Sequence, residues 1–265
     1  MSKLKMVVIG KDVSKSLSPK MHTFIMTKLG VDMEYTTLSI LEENFDQEIN
    51  EVLNNYDTIN VTIPYKINVI PYLNMIKSDA KTFGAVNTIT TKDKIGYNTD
   101  GIGFMLLLQN EGIEIKDKSV LVLGSGGVGR SVIIKLVEAG AKVSSFDLNQ
   151  KGLMSVYDEF PHFTPLSKIE NVPYDIIINC TGVGMHKTEG KSPVGTELLS
   201  LCSSAVDLIY EPKKSEFLRL AELCDKKIVN GESMLFYQAY YADCIFIGKE
   251  PDANEAKALF EEYKN

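Results

Sequence analysis

Apolar residues fall in short blocks that alternate between two periods. Lys5–Ile9, Glu34–Ile40 and Thr58–Thr62 read as strands, and Ile89–Thr91 and Lys94–Tyr97 as two shorter ones turned at Lys92-Asp93. Val120–Leu123, Lys142–Phe146, Tyr174–Asn179, Ala205–Ile209 and Lys227–Val229 form a second set of buried-strand blocks. Between them, apolar positions recur at helical spacing. Ser18 at the cap and Pro19 at the first position open a helix that stops at Gly30. Further helices are predicted over Glu42–Leu53, from Pro64 to about Met75, and over Ile102–Asn110, Ser131–Ala139, Glu232–Ile247 and Asp252–Tyr263. Strands alternating with helices imply an α/β protein with a parallel, doubly wound sheet.

One junction in this pattern carries a chemical signature. The strand Val120–Leu123 runs into Gly124-Ser125-Gly126-Gly127-Val128-Gly129, and a helical pattern follows. Gly124, Gly126 and Gly129 form G-x-G-x-x-G in the strand–turn–helix setting of a dinucleotide site. The first glycine permits the turn, the second admits a pyrophosphate, and the third lets helix pack on strand. Asp147 ends the next strand, where an acidic residue hydrogen-bonds an adenine ribose. Its charge repels a 2′-phosphate and favours NAD over NADP, with Asn149 and Lys151 the polar neighbours. The small-residue loop Cys180–Met185, with Thr181, Gly184 and Met185, suits close contact with the same cofactor.

Composition narrows the setting. The chain has 265 residues, 44% hydrophobic and 24% charged, enough for two domains of an ordinary soluble protein. A formal net charge of −7 argues against a nucleic-acid partner. No apolar run approaches membrane-spanning length, and Met6–Ile9 is too short for a signal-peptide core, so a cytoplasmic location is expected. Cys180, Cys202, Cys224 and Cys244 have no metal-type spacing and read as buried free thiols. His22, His162 and His186 are scattered, so no metal site is expected.

In the first hundred residues, the serine-bearing loop Lys11–Ser18 leaves the end of a strand, where α/β sheets place ligands. Lys66 falls near the start of the helix expected at Pro64, a placement that lowers a lysine pKa and suits proton transfer. Asp100 stands before the helix Ile102–Asn110, as a cap or as a functional carboxylate, and Gln238 lies within a later helix.

Eight ordered segments together resemble the shikimate dehydrogenase family, which includes shikimate/quinate enzymes. They are Ser16-Leu17-Ser18-Pro19, Asn60-Val61-Thr62-Ile63-Pro64-Tyr65-Lys66, Gly84-Ala85-Val86-Asn87-Thr88, Asn98-Thr99-Asp100-Gly101, the glycine loop, Asn179–Met185, Asp207–Pro212 and Tyr237-Gln238-Ala239. The resemblance implies a Rossmann-like dinucleotide domain, residues 101–230, inserted in an α/β substrate-binding domain made of residues 1–100 and 231–265, with the active site in the intervening cleft. It implies Lys66 and Asp100 as the catalytic pair, and Ser16, Ser18, Asn60, Thr62, Asn87, Tyr210 and Gln238 around the substrate. It places Gly231 with the cofactor residues and implies reversible reduction of 3-dehydroshikimate to shikimate with NAD or NADP, in a monomer or homodimer.

Two segments depart from the family pattern. Asp147-Leu148-Asn149 stands where many members carry Asn-Arg-Thr, whose arginine grips the 2′-phosphate, and is similar to the NAD-using quinate/shikimate branch. Gly231-Glu232-Ser233-Met234-Leu235 replaces Gly-Leu-Gly-Met-Leu. An NAD-dependent quinate/shikimate dehydrogenase is therefore the sibling expectation, and Ser16 with Ser18 favours shikimate. A nucleotide-sensing protein without catalysis is the expectation from another class, against which the intact Lys66 and Asp100 argue.

Overall fold

The computed structural model describes residues 3–265, without the side chains of Ser78 and His186. The chain forms two compact units, one of Met1–Gly103 and Phe236–Asn265 and one of Phe104–Leu235. The divisions fall inside two helices and not in linkers.

The first unit begins with β1 (Leu4–Gly10), α1 (Ser18–Lys28), β2 (Met33–Ser39), α2 (Phe45–Asn55) and β3 (Thr58–Val61). It continues with β4 (Met75–Ile76), α3 (Ser78–Phe83), β5 (Thr88–Thr90), β6 (Ile95–Tyr97) and the start of α4 (Asp100–Asn110). Its sheet has the order β2-β1-β3-β5-β6-β4. The β1 strand runs parallel to β2 and β3, while β5 is antiparallel to β3 and β6. Residues Met6–Ile9 are buried on both sides of the sheet, which explains an unbroken apolar run in place of alternation. Phe45, Ile49, Val52 and Leu53 share one face of α2 and pack with Val7, Ile9, Ile59, Val61 and Tyr65. Burying each such side chain contributes about 1.5–3 kcal/mol.

The second unit is a repeating strand–helix winding. Its elements are β7 (Ser119–Leu123), α5 (Gly127–Glu138), β8 (Lys142–Phe146), α6 (Gln150–Glu159), β9 (Thr164–Leu166) and β10 (Ile176–Asn179). They continue through α7 (Thr196–Leu199), β11 (Ser204–Asp207), α8 (Glu216–Leu223) and β12 (Lys227–Asn230). All neighbours in the order β12-β11-β10-β7-β8-β9 are parallel. The order reverses between β7 and β10, the switch point of a Rossmann sheet. Along β7, Val120 and Val122 join one apolar cluster and Leu121 and Leu123 another, so apolar side chains cover both faces of the strand.

The chain ends with α9 (Glu232–Ile247) and α10 (Ala253–Lys264). Asp252 caps α10, its carboxylate accepting from the Asn254 and Glu255 amides. Among the described residues, no helix is long and apolar enough to cross a membrane.

Three expectations are corrected. No α-helix follows Pro64. The segment is a series of turns with one short 3-10 stretch, Ile70–Tyr72, because Pro71 lacks the amide that a continuous helix needs there. Lys66 therefore does not stand in the first turn of a helix of its own. Ser18 is the first residue of α1 and not its cap: Leu17 holds the cap position without a side-chain bond. The helix expected from Glu42 starts as a 3-10 turn, Glu42–Asn44, before α2.

Candidate active site

The turn after β3 carries Lys66. Its neighbour Tyr65 is buried, stacks on Phe45 at 4.3 Å and donates to the Ile40 carbonyl at 2.5 Å. The Lys66 carbonyl accepts from the Val86 amide at 2.7 Å, so the backbone is pinned on both sides of the lysine. From there Lys66 Nζ reaches Asp100 Oδ2 at 2.6 Å. The two side chains are 16% and 8% exposed, which shields the pair from most solvent screening.

Asp100 opens α4, where a carboxylate complements the positive helix end. The Asn98 side chain fixes this start, accepting from the Asp100 amide at 2.9 Å and donating to the Ala85 carbonyl at 3.0 Å. The second Asp100 oxygen accepts from Asn87 Nδ2 at 2.9 Å. Asn87 Nδ2 also lies 3.1 Å from Thr99 Oγ1 and 3.4 Å from Gln238 Oε1, and Asn87 Oδ1 accepts from the Thr99 amide at 3.0 Å. Lys66, Asp100, Asn87 and Gln238 thus form one connected group. The ammonium has three donors, of which Asp100 takes one.

The remaining predicted residues of this unit form a neighbouring set. Ser16 Oγ accepts from the Ser18 amide at 3.2 Å, and the Ser16 amide donates to the Val13 carbonyl at 3.0 Å. Asn60 Oδ1 accepts from the Tyr35 hydroxyl at 2.7 Å. The Thr62 amide is held by the Ile9 carbonyl at 2.9 Å.

In the second unit the glycine loop has the geometry its motif requires. Gly124 has φ +93°, and a Cβ on Gly129 would stand 2.2 Å from the Gly124 carbonyl oxygen. A Cβ on Gly126 would meet nothing within 4 Å, and no side chain caps α5, so its first amides suit a phosphate. Within the first turns of α5, which opens at Gly127, the Val128 carbonyl accepts from Ser131 Oγ at 2.7 Å. These features fit a dinucleotide.

Asp147 is more engaged than expected. Its Oδ2 accepts from the Ser125 amide at 2.7 Å and from Ser125 Oγ at 3.0 Å, and its Oδ1 accepts from the Asn149 amide at 2.8 Å. Asn149 caps α6 through the Gly152 amide at 3.1 Å. Leu148 is 89% exposed, and Lys151 is exposed with no ion pair among the described residues.

The other cofactor candidates sit on loops held by a buried polar network. The Thr181 hydroxyl donates to Asn179 Oδ1 at 2.6 Å, and Asn179 Nδ2 donates to Asp207 Oδ1 at 3.0 Å. Asp207 also accepts from the Ile209 amide at 3.0 Å and from the Ser215 hydroxyl. Burial pushes its carboxyl up to about 6, against these bonds. The Met185 amide donates to the Gly182 carbonyl at 3.3 Å, and Gly184 has φ +113°. Gly231 lies against the backbone: a Cβ would stand 2.2 Å from the Leu208 carbonyl oxygen. Tyr210 is half-buried in this unit, and burial raises its phenol pKa.

Sequence reasoning does not single out Tyr35, Asn98, Thr99, Asn179, Asp207 or Ser215 as individual site residues. Polar residues inside the matched segments signal most of them. Tyr35 has no local signal, since its partner Asn60 is on another strand. Among the described residues, no cluster of three His, Cys, Asp or Glu side chains is placed to hold a metal, and the His186 side chain lies outside that description. The four cysteines are free, with Cys202 and Cys244 buried and Cys180 and Cys224 half-buried.

A family profile described as the shikimate dehydrogenase substrate binding domain matches residues 8–89. The shikimate dehydrogenase (NADP(+)) of Clostridium beijerinckii is 35% identical over 262 residues, covering 97% of each chain. The shikimate 5-dehydrogenase of Thermus thermophilus, solved with NADP(H) and shikimate, superposes with a TM-score of 0.88 at 31% identity over 98% of this chain and 99% of that one. The Listeria monocytogenes enzyme, solved with shikimate and NAD, has a TM-score of 0.82 at 26% identity over 97% of this chain and 96% of that one. The full-length likeness at this identity, on a chain whose Lys66, Asp100 and Asn87 already converge, shows that the chain belongs to the shikimate dehydrogenase family.

Proposed function

We propose that this chain interconverts 3-dehydroshikimate and shikimate, with Lys66 moving the proton and Asp100 orienting it. The carrying observation is the 2.6 Å contact between Lys66 Nζ and Asp100 Oδ2 in a largely buried setting. A nicotinamide dinucleotide supplies or accepts the hydride when bound. Lys66 donates a proton to the oxygen of the ring carbonyl as it becomes a hydroxyl, and takes it back in oxidation. Asp100 holds the ammonium in one direction and accepts from a ring hydroxyl. Asn87 and Gln238 read neighbouring hydroxyls, and Asn60 and Thr62 extend that surface. Ser16 and Ser18 hold the substrate carboxylate by neutral hydrogen bonds.

NADP is the proposed cofactor, with Gly124–Gly129, Thr181, Gly184, Met185 and Gly231 around it. Two observations support this over the NAD preference expected from Asp147. The Clostridium beijerinckii relative is named for NADP(+), and the Asp147 carboxylate already accepts from three donors, two on Ser125 of the glycine loop and one on Asn149 of its own loop. Lys151 is the cation available for the 2′-phosphate. NAD is the second reading, favoured by the exposed Leu148 at the position of the family's arginine.

Initial rates of shikimate and quinate oxidation, each with NADP and NAD, test the proposal. Higher kcat/KM for shikimate with NADP is the expected result. Cofactor binding without turnover on either acid would favour a nucleotide-sensing protein.

A further inference from the structure

Behind the substrate residues lies a buried polar stack that the reaction does not use directly. His22 on α1 is 1% exposed, and its Nδ1 lies 2.6 Å from Oδ1 of Asp243 on α9, itself fully buried. The His22 ring stacks on Tyr35 of β2 with centroids 4.7 Å apart and planes 15° from parallel. The Tyr35 hydroxyl then donates to Asn60 Oδ1 at 2.7 Å, and the Ser18 side chain interacts with the same hydroxyl. Asn60 is 7% exposed, and among the described residues its Nδ2 has no protein partner.

An amide with its oxygen tied and its nitrogen free has a defined polarity. Tyr35 satisfies the acceptor end, which leaves a double donor for a ligand. Without that bond the amide flips at little cost, and half of its orientations offer an acceptor in place of a donor. Burial and the Asp243 charge hold the Tyr35 phenol pKa well above its ordinary value, so it keeps its proton. Asp243 holds His22, and the His22 ring limits the rotation of Tyr35.

We infer that Tyr35 is a positioning residue for substrate selection: its hydroxyl fixes Asn60 with Nδ2 presented to an oxygen of the ligand, and the His22–Asp243 pair holds Tyr35 in that role. This rests on the reading of Asn60 as a substrate residue. Buried ion pairs often serve only the fold. Here the stack ends on a residue with an unpartnered donor, and that distinguishes it.

The test is a double-mutant cycle on the full chain with Tyr35→Phe and Asn60→Ala, read as KM and kcat for shikimate. Tyr35→Phe keeps the ring stack and removes the hydroxyl's contacts to Asn60 and Ser18, of which only the Asn60 contact is lost in the Asn60→Ala background. KM is expected to rise roughly 3–10-fold in the native background, with kcat changed less, and to stay level when Asn60 is already alanine. An equal KM rise in both backgrounds, or none in the native one, overturns the inference. If Asn60→Ala alone leaves KM unchanged, the reading of Asn60 fails as well. A readout without substrate separates the two: the Asn60 side-chain amide resonances of the unliganded protein should move on Tyr35→Phe. Unmoved resonances overturn the Tyr35 contact whatever the substrate.

Discussion

Lys66 Nζ stands 2.6 Å from Asp100 Oδ2, while the other oxygen of that carboxylate is held by Asn87 Nδ2 at 2.9 Å. The carboxylate is thus fixed between a cation and an amide, and the lysine inherits its direction. Asp100→Asn keeps the shape but places an amide against both donors. It should lower kcat for shikimate oxidation by about 10²-fold, within the range for proton-transfer machinery, while far-ultraviolet circular dichroism stays native. A kcat within about twofold of the native enzyme would show that Asp100 does not orient Lys66.

The cofactor proposal yields two variants with opposite effects. Lys151→Ala should raise KM for NADP by roughly 3–10-fold, the effect of losing one charge-assisted contact, and leave KM for NAD unchanged. Leu148→Arg should raise kcat/KM with NADP by about tenfold or more and barely alter NAD. Parallel changes with both cofactors would place these residues away from the 2′-phosphate.

The glycine loop is expected to be intolerant at one position in particular. A Cβ on Gly129 would stand 2.2 Å from the Gly124 carbonyl oxygen, in backbone that cannot move without opening the turn. Gly129→Ala should cost about 1–3 kcal/mol, the usual effect of overpacking, and weaken NADP binding measured by calorimetry. Native stability and affinity would contradict that geometry.

Asp207 links pH to stability. Its carboxyl is pushed up to about 6 by burial, from an ordinary 3.8. The folded chain then binds this proton more tightly than the unfolded chain, so its contribution is fully present below about pH 3.8 and is lost as pH rises through about 6. The gap of about two pH units, at about 1.4 kcal/mol each, corresponds to ~3 kcal/mol as an order of magnitude. Urea unfolding at about pH 4.5 and about pH 7 should show a smaller pH difference for Asp207→Asn than for the native chain. Equal differences would assign the titration to other groups.

Much of the fold and site is legible in the sequence because it is local. The β7–α5 turn announces itself through Gly124, Gly126 and Gly129: the first has φ +93°, a Cβ on the third would collide with the Gly124 carbonyl, and the second leaves open space at the helix start. The helix α9 is legible to its full length, Glu232–Ile247, from an apolar pattern without breakers. The turn at Pro64 misleads because one proline suits a helix start, while the second, Pro71, forbids its continuation. Asp147 reads as a free carboxylate because its three donors come from backbone and loop geometry that residue types do not encode. Tyr35 is hidden for a similar reason: its bond to Asn60 depends on strand register and a ring held by His22.

The most direct measurement is the turnover of shikimate with NADP by the native chain and by Lys66→Ala, followed as NADPH formation at saturating substrate. The account predicts a fall in kcat of about 10²–10⁴-fold with KM comparatively unchanged. Near-native turnover by Lys66→Ala would contradict the assignment of proton transfer to the Lys66–Asp100 pair.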